Sequence, residues 1–219
     1  MSLAKNILNK NEIAEVCEIL MNYHIDARCE LKHASPYELL IATILSAQCT
    51  DVRVNKITEE LFSVANTPEK ICELGIESLK NYIKSAGFFN TKAENIIETS
   101  QILIKKYDSK VPQTMDELVS LPGVGRKTAN VVLANCFNVP TIAVDTHVFR
   151  VTNRIGIVKA DNVLDTEKAL MKKLPKDIWV KMHHVFIFHG RRVCSARNPK
   201  CNICPVIAYC LYLRRKNEV

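Results

Sequence analysis

Hydrophobic positions recur at helical spacing along nearly the whole chain, and no clear run alternates between apolar and polar residues as a β-strand would. Helix signals divide this pattern. Ser35 before Pro36 predicts an N-terminus, and Gly156 predicts a C-terminus. The predicted helices span 8–24, 39–48, 52–64 after a cap at Asp51, 76–85, 92–106, 126–136, 145–155, 166–174 and 178–189. The sequence therefore predicts an all-α protein.

A glycine-containing turn joins two of these helices in the stretch Leu121-Pro-Gly-Val-Gly-Arg-Lys127. The capping-box pattern Thr114-Met-Asp-Glu117 opens a short helix before the turn, and the helix at 126–136 follows it. Gly123 and Gly125 allow a sharp turn, and they expose backbone amides at the N-terminus of the second helix, where the dipole favours an anion. The turn therefore predicts a place where a phosphate can bind.

Several kinds of glycine turn compete at this position. A Walker A loop requires Gly immediately before its Lys, but Arg126 stands there, and the dinucleotide fingerprint fails at Thr128. A helix-hairpin-helix turn, which binds a nucleic-acid phosphate without reading sequence, remains possible. An ordinary connector also remains, because Gly is the usual helix terminator. Glycine spacing alone does not separate these two.

Four cysteines near the end of the chain form the strongest chemical signal. Four thiolates within 17 residues repel one another unless a cation organises them. A zinc ion and an iron–sulfur cluster both suit such a set, and the spacing leaves both open. The four are Cys194, Cys201, Cys204 and Cys210; five others are predicted to be small buried hydrophobes, namely Cys17, Cys29, Cys49, Cys72 and Cys136.

Composition and charge narrow the class of protein. The chain has 219 residues, 47% of them hydrophobic, which is enough for one large or two modest domains. Its net charge is +7, and the segment from 191 to 219 contains seven basic residues and only one acidic residue. Such a basic tail is either a DNA phosphate-binding surface, which we favour, or a solvated face that offsets a polyanionic cluster.

The same composition excludes several locations. No window approaches the roughly 20 apolar residues that a membrane helix needs, and the first ten residues are too polar for a secretory signal. An odd number of cysteines in a chain of this size does not suggest a secreted disulfide framework. We expect a monomeric cytoplasmic protein that is found with chromosomal DNA and has no membrane contact.

The motifs together closely resemble the endonuclease III family of helix-hairpin-helix DNA glycosylases. The hairpin continues through Thr128-Ala129, and Val144-Asp-Thr-His-Val148 and the cysteine spacing follow it. Leu45-Ser-Ala-Gln48 with Thr50-Asp51, and Gly87-Phe-Phe-Asn90-x-Lys92-Ala93, extend the likeness over most of residues 30–210. The resemblance implies two helical domains that flank a DNA-binding groove. These are a barrel-like bundle at 29–139, with the hairpin at about 114–136, and a cluster-bearing domain at 1–28 plus 140–219.

The resemblance also implies an activity and a cofactor. The four late cysteines would bind a 4Fe-4S cluster with a structural role. The chain would be a bifunctional DNA N-glycosylase and apurinic/apyrimidinic lyase, acting in base excision repair on double-stranded DNA with oxidised pyrimidines or abasic sites. Lys127 would be the amine nucleophile that forms a Schiff base and permits β-elimination. Asp145 would accept a proton or stabilise positive charge on the sugar, besides capping a helix.

The DNA contacts carried over from the family lie on several turns. Gln48 and Phe88 would fill the gap left by a flipped nucleotide, although family members often carry an aliphatic residue where Phe88 stands. From the residues alone, Gln48 would be a polar helix end and Phe88 a core aromatic. The remaining expected contacts are Gly123, Gly125, Arg126 and His147.

Two other functions remain open on the sequence. One is a monofunctional glycosylase of the same fold, in which Asp145 activates water; such relatives usually lack a lysine at position 127. The other is a non-catalytic, cluster-bearing module that binds duplex DNA without chemistry. The adjacent His183 and His184 are not expected to share a metal, because neighbouring residues point to different helix faces. Trp179 and His189 are expected to pack.

Overall fold

The computed structural model describes residues 7–217 and the side chains of residues 7–214. Residues 1–6, which form part of the segment used to exclude a secretory signal, and residues 218–219 lie outside this range, as do the side chains of Arg215 and Lys216 in the basic tail. Every regular element in the described range is helical, which confirms the all-α prediction. No helix in that range is long and apolar enough to cross a membrane.

Twelve α-helices lie in the described part of the chain, with short 3-10 turns at Lys176–Ile178, Cys201–Ile203 and Ile207–Tyr209. The helices are α1 (Lys10–Tyr23), α2 (Pro36–Leu45), α3 (Asp51–Val64), α4 (Pro68–Leu74), α5 (Ile76–Ile83), α6 (Phe89–Tyr107), α7 (Met115–Val119), α8 (Arg126–Phe137), α9 (Thr146–Ile155), α10 (Val163–Lys173), α11 (Trp179–Arg192) and α12 (Leu211–Asn217).

Three predicted helix starts are corrected by the structure. Thr50, not Asp51, caps α3, because its hydroxyl accepts a hydrogen bond from the Arg53 amide. Asn162 caps α10, so this helix begins before the predicted start at residue 166. Helix α6 begins at Phe89 without a side-chain cap, whereas the sequence predicted a start near residue 92.

The chain divides into two compact units, of which one comprises residues 29–139 and the other residues 1–28 with 140–219. In the first unit, α2 is the central helix: nine of its ten residues are buried, because its sequence is apolar on all sides. It packs against α3, α6 and α8, while α4 and α5 also pack on α6. The Tyr37 hydroxyl, buried on α2, makes a 2.6 Å hydrogen bond with Ser100 on α6.

The second unit is built around α9 and α11, which pack against each other and are joined by α1, α10 and α12. Phe186 and Met182 of α11 are fully buried in its core. Trp179 packs there as predicted, and its indole N–H donates to the Leu174 carbonyl at 3.0 Å. The segment before α1 is fixed by a 2.8 Å hydrogen bond from the Leu8 amide to the Gly156 carbonyl.

Gly156 ends α9 at a φ of 98°, a conformation that side-chain-bearing residues rarely adopt. A Cβ atom at this position would lie 2.4 Å from Leu211 Cδ1 and 2.7 Å from Leu211 Cγ, so α12 packs against the bare backbone here. Leu211 is itself buried. Glycine at this position therefore permits both the left-handed turn that ends α9 and the close packing of Leu211.

We expect Gly156→Ala to lower the stability of the protein by about 1–3 kcal/mol, because the new methyl group overpacks against Leu211. The measurement is the thermal unfolding midpoint followed by circular dichroism. In the double variant with Leu211→Ala, the clash disappears, so its loss should be smaller than the sum of the two single losses. Additive losses would show that the strained φ, rather than the close approach, is what requires glycine.

Candidate functional site

The predicted hairpin is formed by α7, α8 and the turn between them. Thr114 caps α7 by accepting from the Glu117 amide, as its sequence pattern predicts. Gly123 has a φ of 73°, and a Cβ atom there would lie 2.9 Å from Asn95 Nδ2, so both conformation and space require glycine. Gly125 differs: its φ is −89°, and a Cβ atom there would have no neighbour within 4 Å. A ligand can therefore approach the backbone closely at Gly125.

Two side chains of helix α6 contact the backbone of the hairpin turn and hold it in place. The Thr99 hydroxyl donates to the Pro122 carbonyl at 3.0 Å, and the Asn95 side chain packs against Gly123. No side chain caps the N-terminus of α8 at Gly125. The amides in the first turn of α8 therefore point toward an anion-binding position that also benefits from the helix dipole.

Lys127 is the second residue of α8, and its side chain is exposed, whereas residues 128–134 of the helix are buried. Arg126 beside it is exposed as well. Burial raises the pKa of the Cys29 thiol, and the positive charge of Lys127 opposes that rise. The amine of Lys127 thus stands at the edge of the anion-binding turn, where it is accessible to a bound molecule.

Gln48 and Phe88 occupy two exposed turns of the same unit, and both have left-handed backbone conformations, with φ of 55° and 57°. For residues with a Cβ, such a conformation costs about 1–2 kcal/mol. Phe88 is 68% exposed, so it is not a core aromatic. An exposed aromatic held in a strained conformation is typical of a residue kept for a contact with another molecule.

Asp145 caps α9, and its Oδ1 accepts hydrogen bonds from the amides of His147 and Val148, both at 2.8 Å. The other oxygen, Oδ2, accepts no hydrogen bond from the described residues. The side chain is partly exposed. One carboxylate oxygen is therefore fixed by the helix, while the second remains available to a ligand.

His147 is held by Arg150, whose Nη2 donates to His147 Nδ1 at 3.1 Å and to the Gly190 carbonyl at 2.9 Å. Burial lowers the pKa of His147, so the ring is neutral at pH 7. Because Nδ1 accepts from the guanidinium, the ring proton lies on Nε2. Space is tight here: a Cβ atom on Gly190 would lie 2.9 Å from His147 Cβ.

Two arginines of α9 bind the loop that carries the first cysteine. Arg150 Nε donates to the Cys194 carbonyl at 3.0 Å. One turn later, Arg154 donates to the carbonyls of Ser195 and Ala196 at 2.7 and 2.9 Å. These carbonyls would otherwise lack partners in an irregular loop. No sequence signal indicates this role, because an arginine on an amphipathic helix is usually a solvated charge.

The four predicted cysteines line one cavity, together with Arg154, His189 and mostly apolar residues. Burial raises the pKa of Cys204 to about 11, and the other three sulfurs add to that rise. Thiolates in this cavity therefore need a positively charged group, such as iron, to remain ionised. No three His, Cys, Asp or Glu side chains in the described range are arranged to hold a single metal ion. Four sulfurs around a shared cavity fit a larger, polynuclear group.

His189 does more than pack, which the sequence did not indicate. It is fully buried, its Nε2 lies 3.7 Å from Cys204 Sγ, and its Nδ1 lies 3.1 Å from His24 Nε2. A metal-bound thiolate at Cys204 would only accept hydrogen bonds; Nε2 of His189 would then carry the proton, and Nδ1 would accept from His24. This chain of hydrogen bonds connects the sulfur to the end of α1.

The basic tail is partly occupied by contacts within the chain. Arg192 forms a bidentate ion pair with Asp26 at 2.8 and 2.9 Å and lies over the Phe188 ring. Arg214 donates to the Ala208 carbonyl at 2.6 Å. Lys200 is exposed. Arg192 is thus a weaker candidate for a phosphate contact than its charge alone suggests.

The paired histidines lie in the core of the second unit. Both are buried, and His183 Nδ1 lies 2.7 Å from the Ala143 carbonyl, so this nitrogen carries the proton and donates. Burial lowers the pKa of His184 to about 3. Both rings therefore serve as core residues of α11.

Comparison with known proteins agrees with this geometry. The family model for "HhH-GPD superfamily base excision DNA repair protein" matches residues 41–176, and the model for "Iron-sulfur binding domain of endonuclease III" matches residues 194–210. Endonuclease III of Haemophilus influenzae is 50% identical over 205 residues, which cover 94% of this chain and 97% of that protein.

Solved structures show the same likeness. A non-covalent endonuclease III–DNA complex aligns with a TM-score of 0.92 at 46% identity, covering 97% of this chain and 100% of that one. A trapped endonuclease III–DNA covalent intermediate also aligns with a TM-score of 0.92 at 46% identity, covering 96% and 100%. The chain therefore belongs to the endonuclease III family, and it is a DNA-binding DNA glycosylase and abasic-site lyase that carries a 4Fe-4S cluster.

Proposed function

We propose that this protein removes oxidised pyrimidines from double-stranded DNA and then cleaves the abasic site, with the amine of Lys127 as nucleophile. The observation that carries the proposal is the exposed amine of Lys127, two residues after Gly125 at an uncapped helix N-terminus. A phosphate bound at these amides brings the adjacent deoxyribose close to that amine. That a related endonuclease III has been trapped as a covalent DNA intermediate supports the proposal.

The chemistry assigned to Lys127 proceeds in balanced steps. Its nitrogen forms a bond to C1′ while the bond from C1′ to the base breaks, and the departing base takes the electron pair and a proton. The sugar ring opens to a Schiff base. Loss of a C2′ proton then expels the 3′ phosphate by β-elimination. Water finally hydrolyses the Schiff base and releases the lysine.

Asp145 suits a different part of the reaction. Its free Oδ2 can accept the proton that the attacking amine releases, or stabilise positive charge that develops on the sugar as the base leaves. The hydrogen bonds to Oδ1 hold the carboxylate in one orientation. The group is therefore preorganised by the same helix that it caps.

The remaining exposed turns serve to hold an opened duplex. Gly123, Gly125 and Arg126 form the phosphate-binding side, and His147 supplies a neutral N–H donor to the DNA. Gln48 and Phe88 enter the duplex where the target nucleotide has left it, because extrusion costs a few kcal/mol that stacking and hydrogen bonding offset. The protein binds an abasic site with the same residues. The protein acts as a monomer in the cytoplasm, where it has access to chromosomal DNA.

The cluster has a structural role in this proposal. Cys194, Cys201, Cys204 and Cys210 would hold the 4Fe-4S cluster, and the cluster would supply the positive charge that the buried thiolates require. The loop between these ligands contains only short 3-10 turns. Its conformation therefore depends on the cluster and on the arginines of α9.

The role of Lys127 predicts a permanent crosslink. With an oxidised-pyrimidine or abasic duplex, borohydride should reduce the wild-type Schiff base, and Lys127→Gln should lower the trapped fraction to below about 1% of wild type. Binding should persist, because the hairpin amides remain. Lys110→Gln, which removes an exposed lysine paired with Asp108, is the matched control and should trap normally. Undiminished trapping by Lys127→Gln would assign the nucleophile to another amine, and base release without trapping would indicate a monofunctional glycosylase.

The role of Asp145 predicts that its two functions separate. Asp145→Asn keeps an oxygen for the helix cap but removes the charge, so the protein should remain folded while single-turnover base release slows by about 10²–10⁴-fold. Elimination at a preformed abasic site should slow much less. Asp165→Asn, on α10 of the same unit, should change neither rate. Equal slowing of both steps with a lower melting midpoint would leave Asp145 as a helix cap only.

The cluster predicts a spectroscopic result. Protein purified without oxygen should be brown and contain about four iron and four sulfide ions per chain. Cys201→Ala should lose the visible absorbance and melt at a lower temperature, whereas Cys72→Ala, a matched cysteine outside the cavity, should keep both. Zinc in place of iron in wild-type protein would contradict the assignment.

A further inference from the structure

Lys92 is an unusual buried charge. It lies in the first turns of α6 and is only 5% exposed. Its ammonium donates to two backbone carbonyls, those of Leu45 at 2.8 Å and Ala47 at 2.7 Å. In the described part of the chain, these carbonyls and not a carboxylate are its hydrogen-bond partners. Because burial leaves it out of reach of DNA, a direct phosphate contact does not explain its presence.

The two carbonyls belong to the turn that carries Gln48. Leu45 is the last residue of α2, and its carbonyl is one of those that a helix end leaves without a partner. A cation at a helix C-terminus also complements the helix dipole. Gln48 follows directly in the left-handed conformation, with its side chain exposed. The ammonium thus fixes the backbone on which Gln48 stands.

The main chain of Lys92 fixes the second turn. Its amide donates to the Phe88 carbonyl at 3.1 Å, which is the first hydrogen bond of α6 and sets the left-handed Phe88 at the helix start. The two turns also meet directly, since a Cβ atom on Gly87 would lie 3.7 Å from the Gln48 carbonyl oxygen. Lys92 therefore acts as a clamp on both turns, through its backbone on one side and its side chain on the other.

We propose that Lys92 is a positioning residue that fixes Gln48 and Phe88 relative to each other, so that both enter the duplex at the same extruded nucleotide. This inference rests on the proposed entry of Gln48 and Phe88 into the DNA. If the two turns moved independently, either side chain could enter without the other, and the gap would be incompletely filled. The clamp couples the two insertions into one event.

The test uses Lys92→Met, which keeps the apolar stem but removes the ammonium. Single-turnover strand cleavage is measured on two substrates. In one, the abasic site lies in an otherwise fully paired duplex; in the other, the abasic site lies in an unpaired bubble. We expect a loss of at least about 10-fold on the paired duplex and less than about 3-fold on the bubble, because only the duplex must be opened. Lys84→Met, which removes an exposed lysine four residues before Phe88, is the charge control and should affect both substrates equally or not at all.

A double-mutant cycle separates positioning from a general structural effect. In the wild-type background, Phe88→Ala and Gln48→Ala should each slow cleavage of the paired duplex. In the Lys92→Met background both should have little further effect, because the side chains no longer act together. Multiplicative losses would overturn the clamp. If the two alanine variants cut the duplex at the wild-type rate in the wild-type background, the proposed entry into DNA fails, and the clamp fails with it.

Hydrogen exchange keeps the inference testable if Lys92→Met does not fold. Lys92→Gln is shorter and less disruptive, and it cannot reach both carbonyls. In the Lys92→Gln variant, the backbone amide hydrogens at 46–49 and 87–89 should exchange faster than in the wild type, while those of α3 and α8 remain protected. Uniformly faster exchange across residues 29–139, or no change at the two turns, would show that Lys92 does not specifically hold them.

Discussion

The unit at 29–139 depends on one polar stripe of α6. Lys92, Asn95 and Thr99 follow one another at helical spacing, so their side chains lie along one face. Together they contact the backbone of two turns. Lys92 binds carbonyls of the turn that carries Gln48, whereas Asn95 and Thr99 contact the hairpin turn at Gly123 and Pro122. Buried main-chain groups need partners, and irregular turns cannot supply their own. A single rigid helix therefore sets the spacing of turns that lie far apart in the sequence.

Helix α9 serves the second unit in a similar way. Its first residues are capped by Asp145, and its next two turns carry Arg150 and Arg154, which bind the carbonyls of the loop beginning at Cys194. The carboxylate and the cysteine loop are thus attached to the same helix. One regular element, rather than a series of flexible contacts, therefore connects the loop to Asp145.

Much of this could be predicted from the sequence, because the informative signals are local. Helical periodicity indicated the fold class, and the caps at Ser35 and Thr114 were visible in the residue order. The predicted cap of α3 was wrong because Thr50 and Asp51 are adjacent and the side chain of either residue can cap a helix. The exposure of Phe88, the burial of Lys92 and the partner of His189 are tertiary properties. Neither periodicity nor spacing reports which side of a helix another segment covers.

The division of the second unit along the chain has a consequence for the order of its folding during synthesis. The His24–His189 hydrogen bond joins residues 165 positions apart, and the Arg192–Asp26 ion pair joins residues 166 apart. Residues 29–139, by contrast, form a continuous stretch whose internal contacts need no residue after 139. The first helix must therefore leave the ribosome early, wait while the intervening unit folds, and find its partners only when α11 emerges. The cysteine ligands lie beyond α11 in the sequence, so the residues that bind the cluster become available only after both segments of this unit have been synthesised.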